Sequence, residues 1–240
     1  MRGVTGPSEV FEGNKGFMDS IAGPFEIDWA HEDLERVRRT IIKKHNAEIH
    51  SQPAVEAALE TQATHGFRGA DVARIAIDTF DVAYHIIGGG EEGDKTAVRT
   101  KEEADHSLPY MVAVALLDGS LTPEQYEPDR IRREDVQGLL RKVIVRPLDA
   151  YSARFPEEMP CRLTITLRDG TTLVKEKRDY EGFHTRPMSW DRVRAKFEGL
   201  AEPYADARLR DDVVAAVATL ETIQIWELTE LLGQVELADS

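Results

Sequence analysis

Arg162-Leu163-Thr164-Ile165-Thr166-Leu167-Arg168-Asp169-Gly170-Thr171-Thr172-Leu173-Val174 decides the class of this fold. Leu163, Ile165 and Leu167 alternate with polar neighbours, the period of a half-buried strand, and Asp169-Gly170 is a turn pair that reverses the chain. A β-hairpin is therefore predicted here. Upstream, Arg74 to Phe80 places Ile75, Ile77 and Thr79 on one face at period two, and Val143-Ile144-Val145 forms another strand ended by Pro147. Between these strands the period becomes helical. Ser51-Gln52-Pro53 opens a helix that ends by Gly66, with a proline in the first turn where its missing N–H costs nothing. Ser107 to Leu117 is apolar nearly all round, as a helix buried on most sides must be, and stops at Asp118-Gly119. Thr122-Pro123-Glu124 starts a short helix, and Arg133 to Lys142 turns Val136, Leu139 and Leu140 inward. Gly88 to Asp94 is an acidic loop.

Both ends read differently. From Arg186 the pattern is helix only: Ser189 caps a helix carrying Val193 and Phe197, Val213, Val214, Val217 and Leu220 lie along another, and Ile223, Trp226 and Leu231 along a last one. Glu32 to Arg39 suggests a short helix leading to a strand or an extended run near Thr40 to Ile42. The class is α+β, with an α/β centre between helical segments.

With 240 residues and 41% hydrophobic content the chain can bury a real core, so most of it is expected to be ordered. Forty-four acidic against thirty basic residues give a formal charge of -14, so nucleic acid is not an expected partner and any anion site must be a local cluster of cations. One cysteine, Cys161, excludes an internal disulfide, and no apolar run reaches the roughly 20 residues that span a bilayer. The opening residues fit neither a signal nor a transit peptide, so a cytoplasmic protein is expected.

Lys43-Lys44-His45-Asn46-Ala47-Glu48-Ile49-His50-Ser51-Gln52 is the richest stretch chemically, because two cations, two imidazoles, a carboxylate and two amides crowd together before a helix N-terminus. Lysines there can neutralise a carboxylate and stabilise the enolate-like charge left when a proton departs from the carbon beside it. The bland alternative is a solvated loop. His45, Glu48 and His50 have neither the helical i, i+4 spacing of zinc proteases nor a cysteine-histidine pattern, so no metal is expected. In Ala104-Asp105-His106-Ser107-Leu108-Pro109-Tyr110 a polar turn enters the apolar helix, with Ser107 or Asp105 as cap. Tyr110 then meets either a ligand or a backbone carbonyl, a core anchor being the simpler role. Gly88-Gly89-Gly90 lacks the lysine and hydroxyl residue of a phosphate loop, and Cys161 has no histidine nearby in sequence to activate it.

Several segments together resemble the MmgE/PrpD family, typified by 2-methylcitrate dehydratase. They are Phe11-Glu12-Gly13-Asn14-Lys15-Gly16-Phe17, Lys43 to Gln52 with Ala54 to Ala58 behind it, Ala104 to Tyr110 running on to Gly119, and Pro187 to Phe197. The resemblance implies a small α/β lid domain, here 41–185, flanked by 1–40 and 186–240 as parts of a large all-helical domain, with the active site in the cleft. It implies a cofactor-independent hydro-lyase that removes water from 2-methylcitrate in propionate breakdown, with cis-aconitate decarboxylase and an epimerase among the relatives. By carry-over Lys43 and Tyr110 are the catalytic candidates, with Lys44 as the alternative lysine and Lys44, His50 and His106 as substrate contacts. Family members are about twice as long, so a separate chain bearing the N-terminal half, with its acid and base, is an expected partner, alongside a homodimer. A truncated, inactive interaction module is the competing expectation.

Overall fold

A computed structural model describes residues 10–13, 16–26, 28, 30–31 and 40–235. The chain divides into two units, 1–40 and 41–240. In the first, a π-helical turn spans Met18–Ala22, and Phe17 stands edge-on to both Phe11 and Phe25 at 6.2 and 6.1 Å between ring centres. The helix expected over Glu32 to Arg39 lies outside the described residues, as do Asn14 and Lys15.

The second unit runs α1 (Gln52–His65), β1 (Val72–Thr79), α2 (Asp81–Ala83), α3 (Lys101–Asp105) and α4 (Leu108–Asp118). It continues through α5 (Pro128–Ile131), α6 (Glu134–Leu140), β2 (Val143–Pro147), α7 (Asp149–Ser152), β3 (Cys161–Leu167) and β4 (Thr172–Lys177), and ends with α8 (Trp190–Ala201), α9 (Ala207–Ala218) and α10 (Ile225–Leu232). The four strands form one sheet in the order β2-β1-β3-β4, parallel between β1 and β2 and antiparallel elsewhere. The hairpin forms as expected, and Gly170 takes the left-handed conformation that the turn after Asp169 requires.

Alternation along the strands sorts side chains by face. Ile75 and Ile77 of β1 and Leu163 and Ile165 of β3 are fully or almost fully buried, in the cluster that also holds Ala54, Val55, Ala57 and Ala58 of α1 and most of α4. Helix α4 is enclosed from Leu108 to Leu116; Ser107 Oγ accepts the Tyr110 N–H at its start, and Gly119 ends it. Burial of Cys161 pushes its thiol up to about 12, an inert position for a nucleophile.

Two expectations need correction. Thr40 to Ile42 joins no strand ladder; instead the Ile42 N–H donates to the Gly182 carbonyl at 2.9 Å. Helix α9 stops at Ala218 and α10 begins only at Ile225, so Leu220 and Ile223 both sit between helices. The threonine at 219 turns its hydroxyl back onto the Ala215 carbonyl at 2.9 Å, a local bond that competes with continuing the helix.

A second, smaller core of Phe80, Ala83, Tyr151, Met159, Tyr180 and Phe183 receives Ile41 and Ile49 from either end of the lysine-rich segment. That segment is thereby anchored by apolar contacts at both ends. The last three helices and the turn after α9 bury little: Trp190, Val217, Leu220, Ile225, Trp226 and Leu232 are all exposed. Among the described residues no helix is long and apolar enough to cross a membrane.

Candidate functional site

The segment from Lys43 to Ser51 has almost no regular structure, so its shape is set by side chains. Gln52, fully buried at the head of α1, accepts the His45 N–H at 2.9 Å and donates to the carbonyls of His45 and Ala47, both at 3.1 Å. Glu48 accepts the His50 N–H at 2.7 Å and faces its ring nitrogen at 2.8 Å, and Ser51 Oγ donates to the Glu48 carbonyl. Ser51, which its sequence position marks as a cap, thus spends its hydroxyl on the segment rather than on α1. From the far side, the Tyr126 hydroxyl donates to the Asn46 carbonyl at 2.6 Å and Asn46 N–H donates to Leu121. A loop with its backbone groups satisfied in this way is fixed rather than merely solvated.

Beside it lies a buried charge centre. Glu56, on the first turns of α1, is 1% exposed and pairs with Arg186 at 2.5 Å, Lys177 at 2.7 Å and Lys44 at 2.9 Å, while accepting the Glu181 N–H. Burial alone would raise its pKa, but hydrogen bonds from Arg186, Lys177 and Lys44 outweigh that and bring it to about 2. Lys44 also meets Glu181 at 2.8 Å. Burial pulls the Lys44 pKa down; the bonds to Glu181 and Glu56 overcome this and leave it above the usual lysine value. Gly182 makes the geometry feasible, since at φ +115° a Cβ there would collide with the Ile42 carbonyl oxygen.

Helix α8 completes the surroundings. Lys196 donates to the Lys43 carbonyl oxygen, and a pocket of about 230 Å³ is lined by Lys44, Glu181, Met188, Arg192, Ala195 and Lys196. Burial first, then the charges of Lys44 and Lys196, push the His45 imidazole down to about 4, so it is neutral at pH 7. Its Nε2 is buried and has no hydrogen-bond partner among the described residues. A larger hollow of about 760 Å³ lies along Glu202 to Asp212, Leu231 and Gln234, but Glu202, Asp206 and Asp212 make it unsuited to an anion.

The other candidates from the sequence fall in different surroundings. Lys43 is exposed next to this pocket, and His50 packs against Phe80 and Phe155 behind the segment. Tyr110 is fully buried with its hydroxyl donated to the Gln125 carbonyl, and burial raises it well above the usual tyrosine pKa. It reaches the segment indirectly, through the Tyr126 ring at 6.0 Å. His106 is half exposed at the end of α3, near Asp105 at 3.9 Å. Among the described residues no three His, Cys, Asp or Glu side chains gather as metal ligands. Sequence reasoning missed Glu56, Lys177, Glu181, Arg186, Arg192 and Lys196. Two of them left a signal without a role: Glu56 as a lone carboxylate within the apolar start of α1, and Lys196 inside the Pro187 to Phe197 segment that carries part of the family resemblance.

Comparison with known proteins adds a family. The family model for the MmgE/PrpD C-terminal domain matches residues 45–222. Cis-aconitate decarboxylase of Mus musculus is 26% identical over 258 aligned residues, covering 100% of this chain and 49% of that protein. The 2-methylcitrate dehydratases of Cupriavidus necator and Escherichia coli K12 are 37% and 32% identical, each covering 58% of this chain and 29% of the relative. The chain thus spans about half, or less, of the length of the curated relatives it matches.

Proposed function

The chain belongs to the MmgE/PrpD family, and from that premise we propose that it takes part in a lyase reaction on a small polycarboxylate, the removal of water from 2-methylcitrate in propionate breakdown. In that reaction a C–H bond beside a carboxylate breaks, a C–O bond breaks one carbon away, and water leaves behind a cis-alkene. The hard step is the negative charge that builds on the carboxylate as the proton departs. The observation that carries the reading is the Lys43–Gln52 segment, held rigid by Gln52 and Tyr126 with an exposed lysine beside a cationic pocket. Lys43 neutralises the developing charge.

Lys44, already paired with Glu56 and Glu181, fixes the segment and supplies background positive potential. Tyr110 stays a second catalytic candidate, although its hydroxyl must first leave the Gln125 carbonyl. His50 and His106 are assigned as substrate contacts, His106 being the freer of the two. The carboxylates around the pocket, Glu56 and Glu181, are both engaged by cations, so the acid and base are assigned to the part of the longer relatives that this chain does not match. A separate polypeptide supplying that part, a homodimer, a cytoplasmic setting, and the division into 41–185 as lid with 1–40 and 186–240 as helical-domain segments belong to the same proposal.

A second reading, decarboxylation of cis-aconitate, is favoured by the decarboxylase match over the full chain. The two are separated by product. The purified chain, alone and mixed with a polypeptide carrying the unmatched part, is given 2-methylcitrate with ultraviolet absorbance followed, and cis-aconitate with carbon dioxide release followed. Alkene formation in the mixture supports dehydration, and carbon dioxide release supports the second reading. Lys43→Ala should lower turnover at least about tenfold, about 1.4 kcal/mol of barrier. Unchanged turnover removes Lys43 from the mechanism.

A further inference from the structure

Nearly every cation around the buried Glu56 has a carboxylate partner. Lys44 has Glu56 and Glu181, Lys177 has Glu56 and Glu60, Arg186 has Glu56 and Asp179, and Arg192 has Glu181 at 3.4 Å. Two lysines break the pattern. Among the described residues Lys43 and Lys196 have no carboxylate within ion-pair distance, yet they stand close enough to repel one another. Lys196 pays twice for its position: it is partly buried, and the Lys43 charge adds to the burial in holding its pKa below the usual lysine value. In a chain of net charge -14, with acidic side chains in excess, two lysines that have no counter-charge among the described residues, the ammonium of one bonded to the carbonyl of the other, make a local cationic spot of the kind an anion can occupy.

We propose that Lys196, on helix α8, is a carboxylate-binding residue that works with Lys43 to hold one carboxylate of a small polycarboxylate at the mouth of the pocket lined by Lys44, Glu181, Met188, Arg192, Ala195 and Lys196. This rests on the reading of the site as a polycarboxylate lyase and adds to it a residue from a helix far along the chain. The ammonium has three donors, and its bond to the Lys43 carbonyl occupies one. That bond fixes the Nζ beside Lys43, leaving two donors for a ligand. Met188 and Ala195 form an apolar wall, where the attraction between a carboxylate and two ammonium groups is screened less than in open water. Glu181, the pocket's own carboxylate, is held by Lys44 and Arg192 and so does not neutralise Lys196.

The test is binding of citrate, a non-methylated tricarboxylate, to the whole chain, measured by titration calorimetry at fixed ionic strength and by the 15N resonances of the lysine side chains. Wild-type chain should bind citrate with a shift of the Lys196 Nζ signal. Lys196→Met should weaken binding about tenfold or more, Lys196→Arg should retain most of it, and Lys175→Met, which removes the same charge from the partner of Glu60, should change it less than about twofold. Equal binding by wild type and Lys196→Met overturns the proposal, as does an equal loss in Lys175→Met, which would reduce the effect to net charge. The resonance shift needs no variant, so a Lys196→Met chain that fails to fold leaves the proposal exposed to refutation by an unmoved Lys196 signal in the wild type. Citrate binding that depends on Lys196, with no lyase product even when the chain is mixed with a polypeptide carrying the unmatched part, would sink the proposed reaction and keep the site. Lyase turnover with binding indifferent to Lys196→Met would do the reverse.

Discussion

Glu56→Gln removes one negative charge from the centre of the buried cluster and keeps the shape of the side chain. The carboxylate is 1% exposed and its pKa falls from the ordinary 4.5 to about 2. A folded-state pKa below the unfolded value means stability that is present above about pH 4.5 and lost as the pH falls toward 2. The full shift corresponds to about 3 kcal/mol at pH 7, and about 1 kcal/mol of it is left at pH 3, where much of the linkage has been titrated away. Other carboxylates, Glu60 and Glu181 among them, are also depressed, so the acid limb of the wild type alone is not diagnostic. The difference between wild type and Glu56→Gln is. Urea unfolding at pH 7, 5, 4 and 3, with the same slope for both proteins, should give a gap of about 3 kcal/mol or more at pH 7 that narrows by about 2 kcal/mol at pH 3. A gap of constant size across that range would refute the reasoning, because it would mean that Glu56 contributes by packing and not by its charge.

Gly182→Ala forces a Cβ into the Ile42 carbonyl and a left-handed backbone on alanine; it should cost about 1–3 kcal/mol in thermal or urea unfolding and reduce protection of the Ile42 amide in hydrogen exchange. Tyr110→Phe strips the donor from the buried Gln125 carbonyl and should cost about 1–3 kcal/mol of stability, measured by denaturation. The exposed apolar side chains of the last helices should bind a hydrophobic dye and promote association with rising concentration, and replacing Ile225 and Trp226 together by lysine should reduce both signals in fluorescence and light scattering.

What the sequence made legible, and what it hid, follows from the range of the interactions. Leu163, Ile165 and Leu167 announce their strand because alternation is a property of neighbours, and Asp169-Gly170 announces its turn because the backbone angles are local. The enclosure of α4 is readable for the same reason: a helix apolar on every side has no face to offer water. Lys43 to Gln52 stood out by composition alone. Its charge centre could not be read, because Lys44, Glu56, Lys177 and Arg186 are brought together by the packing of α1 on the sheet and by the close pass of Gly182 under Ile42. Distinguishing the paired Lys44 from Lys43, which has no carboxylate partner among the described residues, likewise required partners far along the chain. Thr40 to Ile42 left strand and extended run undecided because three residues of mixed character carry too little period to tell a ladder from a single hydrogen bond.

The strand order β2-β1-β3-β4 puts the earliest strand in the interior of the sheet, with Ile75 set against Val143 on one side and Ile165 on the other. Neither neighbour exists when β1 leaves the ribosome. A nascent chain ending before Val143 carries an apolar strand with both edges open, and the loops that must close before either edge is covered are long. Folding of this unit is therefore expected to be slow and to begin in the helices, with the sheet zipped only after synthesis has passed β3. During that interval β1 is the segment most in need of shelter from other chains.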